Sequence, residues 1–251
     1  MTDLSVNLNK IALLRNSRGG NFPDVIEHAK SCIRAGCQGI TLHPRPDQRH
    51  VRPADACGIA ELLKDKPSIE LNLEGNPFAE AEDDYPGFIN LVLQCIPDQC
   101  TLVPDSRQQL TSDHGFDLKT EGERLTPLVD QLHGLGVRVS LFMDPEPEQI
   151  ELAAKIGADR IELYTGPFAE AYADSLEAAA PIFLRHTAAA NCAFELGLGV
   201  NAGHDLNLQN LQLYRQLPHL AEVSIGHALI VDAITMGLEQ TVHAYLAVLE
   251  T

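Results

Sequence analysis

The chain has 251 residues, 45% of them hydrophobic, so it is long enough to bury a large core in one barrel-sized domain or two smaller ones. It carries 18 Lys and Arg against 35 Asp and Glu, which gives a formal net charge of −17. This acidic balance argues against nucleic acid and anionic membranes as partners, because both select a basic surface, and local arginines and helix N-termini must hold any anionic substrate.

The N-terminal segment MTDLSVNLNK has no basic stretch followed by an apolar run, so we expect no signal peptide. No apolar run approaches the roughly 20 residues that span a bilayer. None of the six cysteines forms a Cys-x-x-Cys pair, so neither a zinc ribbon nor a thioredoxin motif is indicated. We therefore expect a cytoplasmic protein with reduced thiols.

Short apolar runs typical of β-strands alternate with longer helical patterns along the whole chain. Strands are predicted at 4–8, 40–42, 69–73, 101–103, 137–142, 160–164, 198–201 and 221–225. A loop is predicted over 9–21, and helices over 23–35, 53–64, 77–94, 117–133, 145–157, 167–196 and 208–216 and from 227 onwards. Pro86-Gly87 should interrupt one helix, and Pro181 should kink or break another.

The strict alternation of strands and helices predicts a parallel sheet with helical crossovers. Eight such units in about 250 residues match the size of an α/β (β/α)8 TIM barrel. The alternative is an open doubly wound sheet, but no Gly-x-Gly-x-x-Gly follows the first strand. No linker-like segment divides the chain, so we predict a single domain over residues 1–251.

Polar side chains collect directly after the predicted strands, whereas approaches to the strands such as 35–37 and 134–136 carry glycine and apolar residues. In a (β/α)8 barrel the carboxyl ends of the strands form one rim, where the active site lies. The residues that follow the strands are, in chain order, Asn7, Asn9, Lys10, Arg15, Arg18, His43, Arg45, Arg49, His50, Glu74, Asp105, Arg107, Thr111, Asp144, Glu162, Thr165, Asn201, Gly203, His204, Ser224, Gly226 and His227. We therefore expect one active site at this rim.

The segment after the second strand, HPRPDQRH, concentrates cations and imidazoles in one loop. Its two prolines stiffen the backbone. Arg45 and Arg49 offer donor forks suited to carboxylate or phosphate. His43 and His50 are expected to exchange protons near neutral pH. The alternative is a solvated, charged surface turn.

Four further rim residues suggest proton transfer or phosphate binding. Glu74 and Glu162 adjoin or lie in apolar strands, where a carboxylate is costly unless it forms a structural ion pair or works on protons. His204 and His227 each follow a glycine after the last two strands, where a histidine either caps a helix or helps to bind phosphate. No metal-binding spacing, no Gly-x-Ser-x-Gly and no rim cysteine is present. The residues alone favour His and Glu acid–base catalysis on small phosphorylated substrates.

Eight segments that together cover all the predicted strands carry a family signature. They are SVNLNKIALLRNSRGG, GITLHPRPDQRH, LNLE, LVPDSRQQLTSDHG, VSLFMD, RIELYTG, GVNAGHDL and VSIGHALI. They resemble the pyridoxine 5′-phosphate synthase (PdxJ) family of vitamin B6 biosynthesis. The resemblance implies a barrel with additional helices, assembled as a homo-octamer. It also implies a transferase without metal or organic cofactor, which condenses 3-amino-2-oxopropyl phosphate with 1-deoxy-D-xylulose 5-phosphate and releases phosphate and water.

The resemblance also implies roles for individual residues. His43 and Glu74 match the family's proton acceptors and His204 matches its proton donor. Glu162 matches the carboxylate that stabilises charge in the transition state. The residues that match contacts to the amino-ketone phosphate are Asn7, Arg18, Gly226 and His227, and those that match contacts to the sugar phosphate are Arg45, His50 and Thr111.

Two positions depart from the commoner family pattern. Asn9-Lys10 stands where the family has Asp-His, and we hypothesise that Lys10 replaces that contact to the sugar phosphate. Asp205 stands where the family often has Gly, and we expect only its backbone N–H to contribute, because its carboxylate would repel phosphate. Two alternatives remain: another sugar-phosphate aldolase or isomerase barrel, which needs a rim metal or a Schiff-base lysine, and a non-catalytic paralogue that binds phosphorylated metabolites.

Overall fold

A parallel β-barrel forms the centre of the protein, of which the computed structural model describes residues 2–250. Its strands are β1 (Asp3–Asn7), β2 (Gly39–Leu42), β3 (Glu70–Gly75), β4 (Gln99–Leu102), β5 (Arg138–Met143), β6 (Arg160–Leu163), β7 (Gly199–Ala202) and β8 (Leu220–Ile225). Each strand pairs with the next in parallel, and β8 pairs with β1, so the sheet is closed. Closure confirms the predicted (β/α)8 barrel and excludes the open doubly wound sheet.

Helices surround the barrel. They are α1 (Asn9–Asn16), α2 (Val25–Arg34), α3 (Pro53–Leu63), α4 (Phe88–Cys95), α5 (Leu118–His133), α6 (Pro147–Lys155), α7 (Gly166–Asp174), α8 (Leu176–Glu195), α9 (Leu211–Tyr214), α10 (His227–Met236) and α11 (Leu238–Glu250). Across residues 2–250, none of these helices has the combination of length and apolar composition that a bilayer crossing requires.

The helix α1 lies where the sequence predicted a loop. It buries Ile11, Ala12 and Arg15 but leaves Leu13 and Leu14 exposed. Because an arginine occupies one buried position and two leucines face solvent, no apolar stripe marks the helix in the sequence. The helix packs against α2 and α10, and it places Asn9 and Lys10 in its first turn.

Two predicted helices have different boundaries in the structure. The helix predicted over 77–94 begins only at Phe88, because Gly87 before it has a φ of 89° and the residues ahead of it form a turn. Of the two outcomes predicted at Pro181, a kink or a break, the break is wrong, since α8 continues through it. The chain breaks instead at Ser175, where the backbone is extended and the Ser175 hydroxyl accepts the N–H of Ala178 at 3.1 Å.

Polar side chains fill the barrel interior, while alternate residues pack outward against the helices. Ser5 Oγ lies 2.7 Å from Thr41 Oγ1, which links β1 to β2. On the other side, Asn201 Nδ2 on β7 donates across the barrel to Gln99 Oε1 on β4 at 3.4 Å. Strand alternation therefore directs polar residues along the axis, and those nearest the carboxyl ends of the strands line the mouth.

Candidate active site

His43 occupies the end of β2 and is only 6% exposed. Its backbone N–H donates to Asn9 Oδ1 at 2.9 Å. Its ring lies between two carboxylates, with Nε2 3.2 Å from Asp105 Oδ2 and Nδ1 3.7 Å from Glu74 Oε2. Burial alone would lower the pKa of His43, but the Asp105 and Glu74 carboxylates outweigh it and raise the pKa above its usual value. The ring is thus placed to hold or accept a proton.

Glu74 is the fifth residue of β3, inside the strand rather than after it, and its side chain faces the mouth. It accepts the Asn7 Nδ2 donor and the Asn72 Nδ2 donor, each at 3.4 Å. The barrel thus brings Asn7 from β1, His43 from β2 and Glu74 from β3 into one contact group.

Glu162 lies on β6 and is 4% exposed, and its side chain accepts no hydrogen bond from any residue that the structure describes. Burial, reinforced by the Glu74 and Glu222 carboxylates, raises the pKa of Glu162 well above its usual value. A Cβ on Gly203 would lie 2.7 Å from Glu162 Oε1, so only glycine permits this close approach. This environment favours the protonated carboxyl, which can donate a hydrogen bond.

His204 follows β7 and contacts residues from other loops. Thr111, on the loop between β4 and α5, places Oγ1 2.7 Å from His204 Nε2. The Tyr164 ring packs edge-on against the imidazole with a centroid distance of 5.3 Å. The loop after β4 therefore reaches across the mouth to the residue after β7.

Asp205 adopts a left-handed conformation with a φ of 63°, which a residue with a side chain seldom takes. Its Oδ2 lies 2.9 Å from His204 Nδ1, and this contact lowers the pKa of Asp205 despite partial burial. The sequence suggested a role for its backbone N–H alone, whereas the structure also gives the carboxylate a partner in His204.

His50 and Arg45 lie on the loop after β2, and both are buried. Arg45 forms an ion pair with Asp105. His50 Nδ1 accepts the Val51 N–H at 2.9 Å, so Nε2 carries the proton. Burial, together with the positive charges of His43 and Arg45, lowers the pKa of His50 to about 3. The expectation that His50 exchanges protons near neutral pH is wrong, and it is instead a neutral donor.

Gly226 precedes α10 and lies directly beside β1. A Cβ at this position would come 3.1 Å from Asn7 Cβ, so the glycine brings the start of α10 close to the mouth. His227 is the first residue of α10 and is exposed. Asn7, Gly226 and His227 are therefore neighbours at the junction between β1 and β8.

Two cavities open on opposite sides of the mouth. One of about 430 Å³ is lined by the loops after β2, β3 and β4 and includes Arg45 and Asp105. The other, of about 490 Å³, is lined by the residues after β6, β7 and β8 and includes Asp205 and His227.

Arg18 lies on an exposed turn after α1, and its side chain forms no hydrogen bond or ion pair within residues 2–250. The structure therefore shows no polar contact between the Arg18 side chain and the other predicted site residues in the described range.

Two residues, Asp105 and Arg15, form contacts in the structure that the sequence did not predict. Asp105 was recognised only as a rim residue, yet it contacts both His43 and Arg45. Arg15 was expected at the rim, but it is fully buried and pairs with Asp55 at 2.5 Å. Neither pairing has a sequence signal, because each partner lies in another loop or helix.

The sequence matches known proteins over nearly its whole length. The family model described as "Pyridoxal phosphate biosynthesis protein PdxJ" matches residues 4–251. A protein of Xanthomonas campestris pv. campestris (strain B100) named pyridoxine 5′-phosphate synthase is 52% identical over 249 residues, which cover 99% of this chain and 96% of that relative. A protein of Xylella fastidiosa (strain 9a5c) with the same name is 50% identical over 251 residues, covering 100% of this chain and 95% of that relative.

Solved structures resemble this chain in fold alone. The tryptophan synthase subunit alpha of Legionella pneumophila str. Paris superposes with a TM-score of 0.62 at 13% sequence identity, covering 99% of this chain and 93% of that one.

Proposed function

The chain belongs to the PdxJ family of pyridoxal phosphate biosynthesis proteins, and we propose that it is a pyridoxine 5′-phosphate synthase. The reaction is the condensation of 3-amino-2-oxopropyl phosphate with 1-deoxy-D-xylulose 5-phosphate, with release of phosphate and water. An amine adds to a ketone, water leaves, the ring closes and phosphate departs. Each step moves protons, so several acid–base groups of different pKa are needed around one cavity.

One observation carries the proposal: acid–base residues from distant parts of the chain meet at one mouth. His43 Nδ1 lies 3.7 Å from Glu74 Oε2, and Thr111 on the β4 side reaches His204 on the β7 side at 2.7 Å. In the proposed mechanism His43 and Glu74 accept protons and His204 donates one. Glu162, in which burial favours the protonated carboxyl, donates a hydrogen bond where negative charge develops.

The two cavities suit two phosphorylated substrates held on either side of the reacting atoms. We assign the sugar phosphate to Arg45, His50 and Thr111, where a buried guanidinium and a neutral imidazole N–H offer donors. The residues that we assign to the amino-ketone phosphate are Asn7, Arg18, Asp205, Gly226 and His227. Backbone N–H groups at the start of α10 favour an anion there. Holding both substrates in register supplies rate by proximity.

Mixing both phosphorylated substrates with the pure protein and recording the absorbance of pyridoxine 5′-phosphate tests the proposal. We expect product only when both substrates are present. Glu74→Gln should give none, and the matched control Glu61→Gln, on the exposed face of α3, should behave as the wild type. Absence of product from the wild-type protein would overturn the proposal. Borohydride trapping at Lys10 would instead support the aldolase alternative.

We also propose that the chain forms a single domain and acts in the cytoplasm, and that it assembles as a homo-octamer, as the family resemblance implies. The six free cysteines support a reducing compartment. Light scattering after size exclusion should give eight times the mass of one chain, and a monomeric mass at working concentration would contradict the assembly.

A further inference from the structure

Asp105 is held more firmly than its position at the start of a loop suggests. It is 6% exposed, and Asn76 Nδ2 donates to its backbone carbonyl at 2.6 Å. Its Oδ2 atom pairs with Arg45, accepts the Ser112 hydroxyl at 3.1 Å and lies 3.2 Å from His43 Nε2. Both the backbone and the carboxylate of Asp105 are thus fixed before any substrate binds.

These partners decide the protonation state of Asp105. Burial would raise the pKa of the carboxyl, but His43, Arg45 and Ser112 lower it to about 2. An ionised carboxylate accepts hydrogen bonds and donates none. The proton in the contact with His43 must therefore lie on Nε2 of the imidazole.

We propose that Asp105 is the positioning residue for His43: it holds the imidazole in the Nε2–H tautomer, so that Nδ1 is the atom that accepts the substrate proton. Nδ1 faces Glu74 and the mouth, where such a proton would be available. The assignment of His43 as a base rests on the proposed function, but its tautomer does not. A carboxylate that fixes a histidine tautomer in this way is worth about 10⁴ in kcat in the serine protease triad.

The charges around His43 give the sign of the pH dependence. Glu74 from β3 and Asp105 from the loop after β4 favour the imidazolium, while burial and Arg45 from its own loop oppose it. His50, also on that loop, is neutral and its ring centroid is 6.3 Å away. Removing the Asp105 charge takes away one of the two carboxylates that raise the pKa of His43, while burial and Arg45 still lower it. The pKa of His43 should then fall, and the acid limb of kcat/KM should move to lower pH.

A purely structural role for Asp105 gives a different result. If Asp105 only anchored Arg45, its removal would raise KM for the sugar phosphate and leave the titration of His43 unchanged. The two roles therefore separate in a split between kcat and KM and in the histidine titration.

The experiment compares wild type, Asp105→Asn, Asp105→Glu and the control Asp113→Asn, an exposed carboxylate on the same loop. Side-chain ¹⁵N NMR of the intact protein should identify Nε2–H for His43 in the wild type. The titration midpoint should be lower in Asp105→Asn and unchanged in Asp113→Asn. Asp105→Asn should also lose about 10²–10⁴-fold in kcat, and Asp105→Glu should recover part of it.

Observation of the Nδ1–H tautomer in the wild type, or of an unchanged His43 midpoint in Asp105→Asn, would overturn the proposal. The NMR measurement needs no turnover. A protein that lacks synthase activity but has the expected tautomer would refute the proposed function and leave the positioning by Asp105 intact.

Discussion

Replacing Arg15 with methionine tests how the loop after β2 is held at the barrel mouth. Arg15 is fully buried on α1, where it pairs with Asp55 at 2.5 Å and donates to the His50 carbonyl at 3.1 Å. Asp55 also accepts the backbone N–H of Arg52 at 2.8 Å, at the start of α3. Methionine fills the aliphatic volume but supplies neither charge nor donors, so Asp55 is left without its cation.

The expected loss in the free energy of unfolding follows from the buried charge of Asp55. Removing one partner of a buried ion pair costs about 3–5 kcal/mol, most of it from the carboxylate left uncompensated. The His50 carbonyl still accepts Asn16 Nδ2 at 2.8 Å, so its lost bond adds little. For a chain of this size each kcal/mol lowers Tm by about 2–4 °C, so Arg15→Met should melt roughly 6–20 °C below the wild type.

Urea unfolding followed by circular dichroism, at one fixed protein concentration, measures the effect. Lys64→Met is the control, because its ion pair with Glu61 is exposed and its midpoint should not move. The double variant Arg15→Met/Asp55→Leu removes both charges and should recover most of the loss. A loss below about 1 kcal/mol in Arg15→Met, or a double variant no more stable than the single one, would refute the reasoning.

Three further predictions concern the mouth itself. Glu74→Gln keeps the shape of the side chain but cannot take a proton, so kcat should fall by about 10²–10⁴ while substrate Kd hardly changes; near-normal single-turnover rates would contradict this. Lys10→Met should selectively raise KM for the sugar phosphate, and an unchanged constant would refute a phosphate contact by Lys10. His50, with a pKa of about 3, should stay neutral and show no NMR titration between pH 5 and 8, so a midpoint near 6.5 would disprove its neutrality.

The fold could be predicted because a parallel barrel repeats one simple pattern. Each strand is a short apolar run, and every pair of runs is separated by a segment long enough for a helix. The errors fall where local chemistry opposes that pattern. Helix α1 hides a buried arginine among exposed leucines, and α8 continues through Pro181, near its N-terminal end, at the loss of a single backbone hydrogen bond.

The site could be predicted only as a set of rim residues. A position after a strand predicts that a side chain lies at the mouth, but it does not predict which residues touch. The contact of Thr111 with His204 joins loops 93 residues apart in sequence, and the contacts of Asp105 with His43 and Arg45 also cross between loops.

Two rim carboxyl groups, Asp105 and Glu162, lie in environments that shift their pKa values in opposite directions. Asp105 receives hydrogen bonds or ion pairs from Arg45, Ser112 and His43, and these hold it ionised. The Glu162 side chain accepts none from the described part of the chain, and burial together with the Glu74 and Glu222 carboxylates raises its pKa. When two carboxyl groups of one site have pKa values shifted in opposite directions, one can support a base while the other acts as a donor.

The opposite pKa shifts of Asp105 and Glu162 distinguish the two sides of the barrel mouth. The loops after β2, β3 and β4 carry the Asp105 carboxylate behind His43, the proposed base, while β6 and the residue after β7 carry Glu162, whose pKa is raised, and His204, the proposed donor. In the proposed condensation, protons would therefore leave the substrate towards β2 and β3 and return from the side of β6 and β7. Moving Asp105 or Glu162 to the opposite protonation state should then impair turnover even with both phosphates bound, because binding and proton transfer depend on different residues of the same rim.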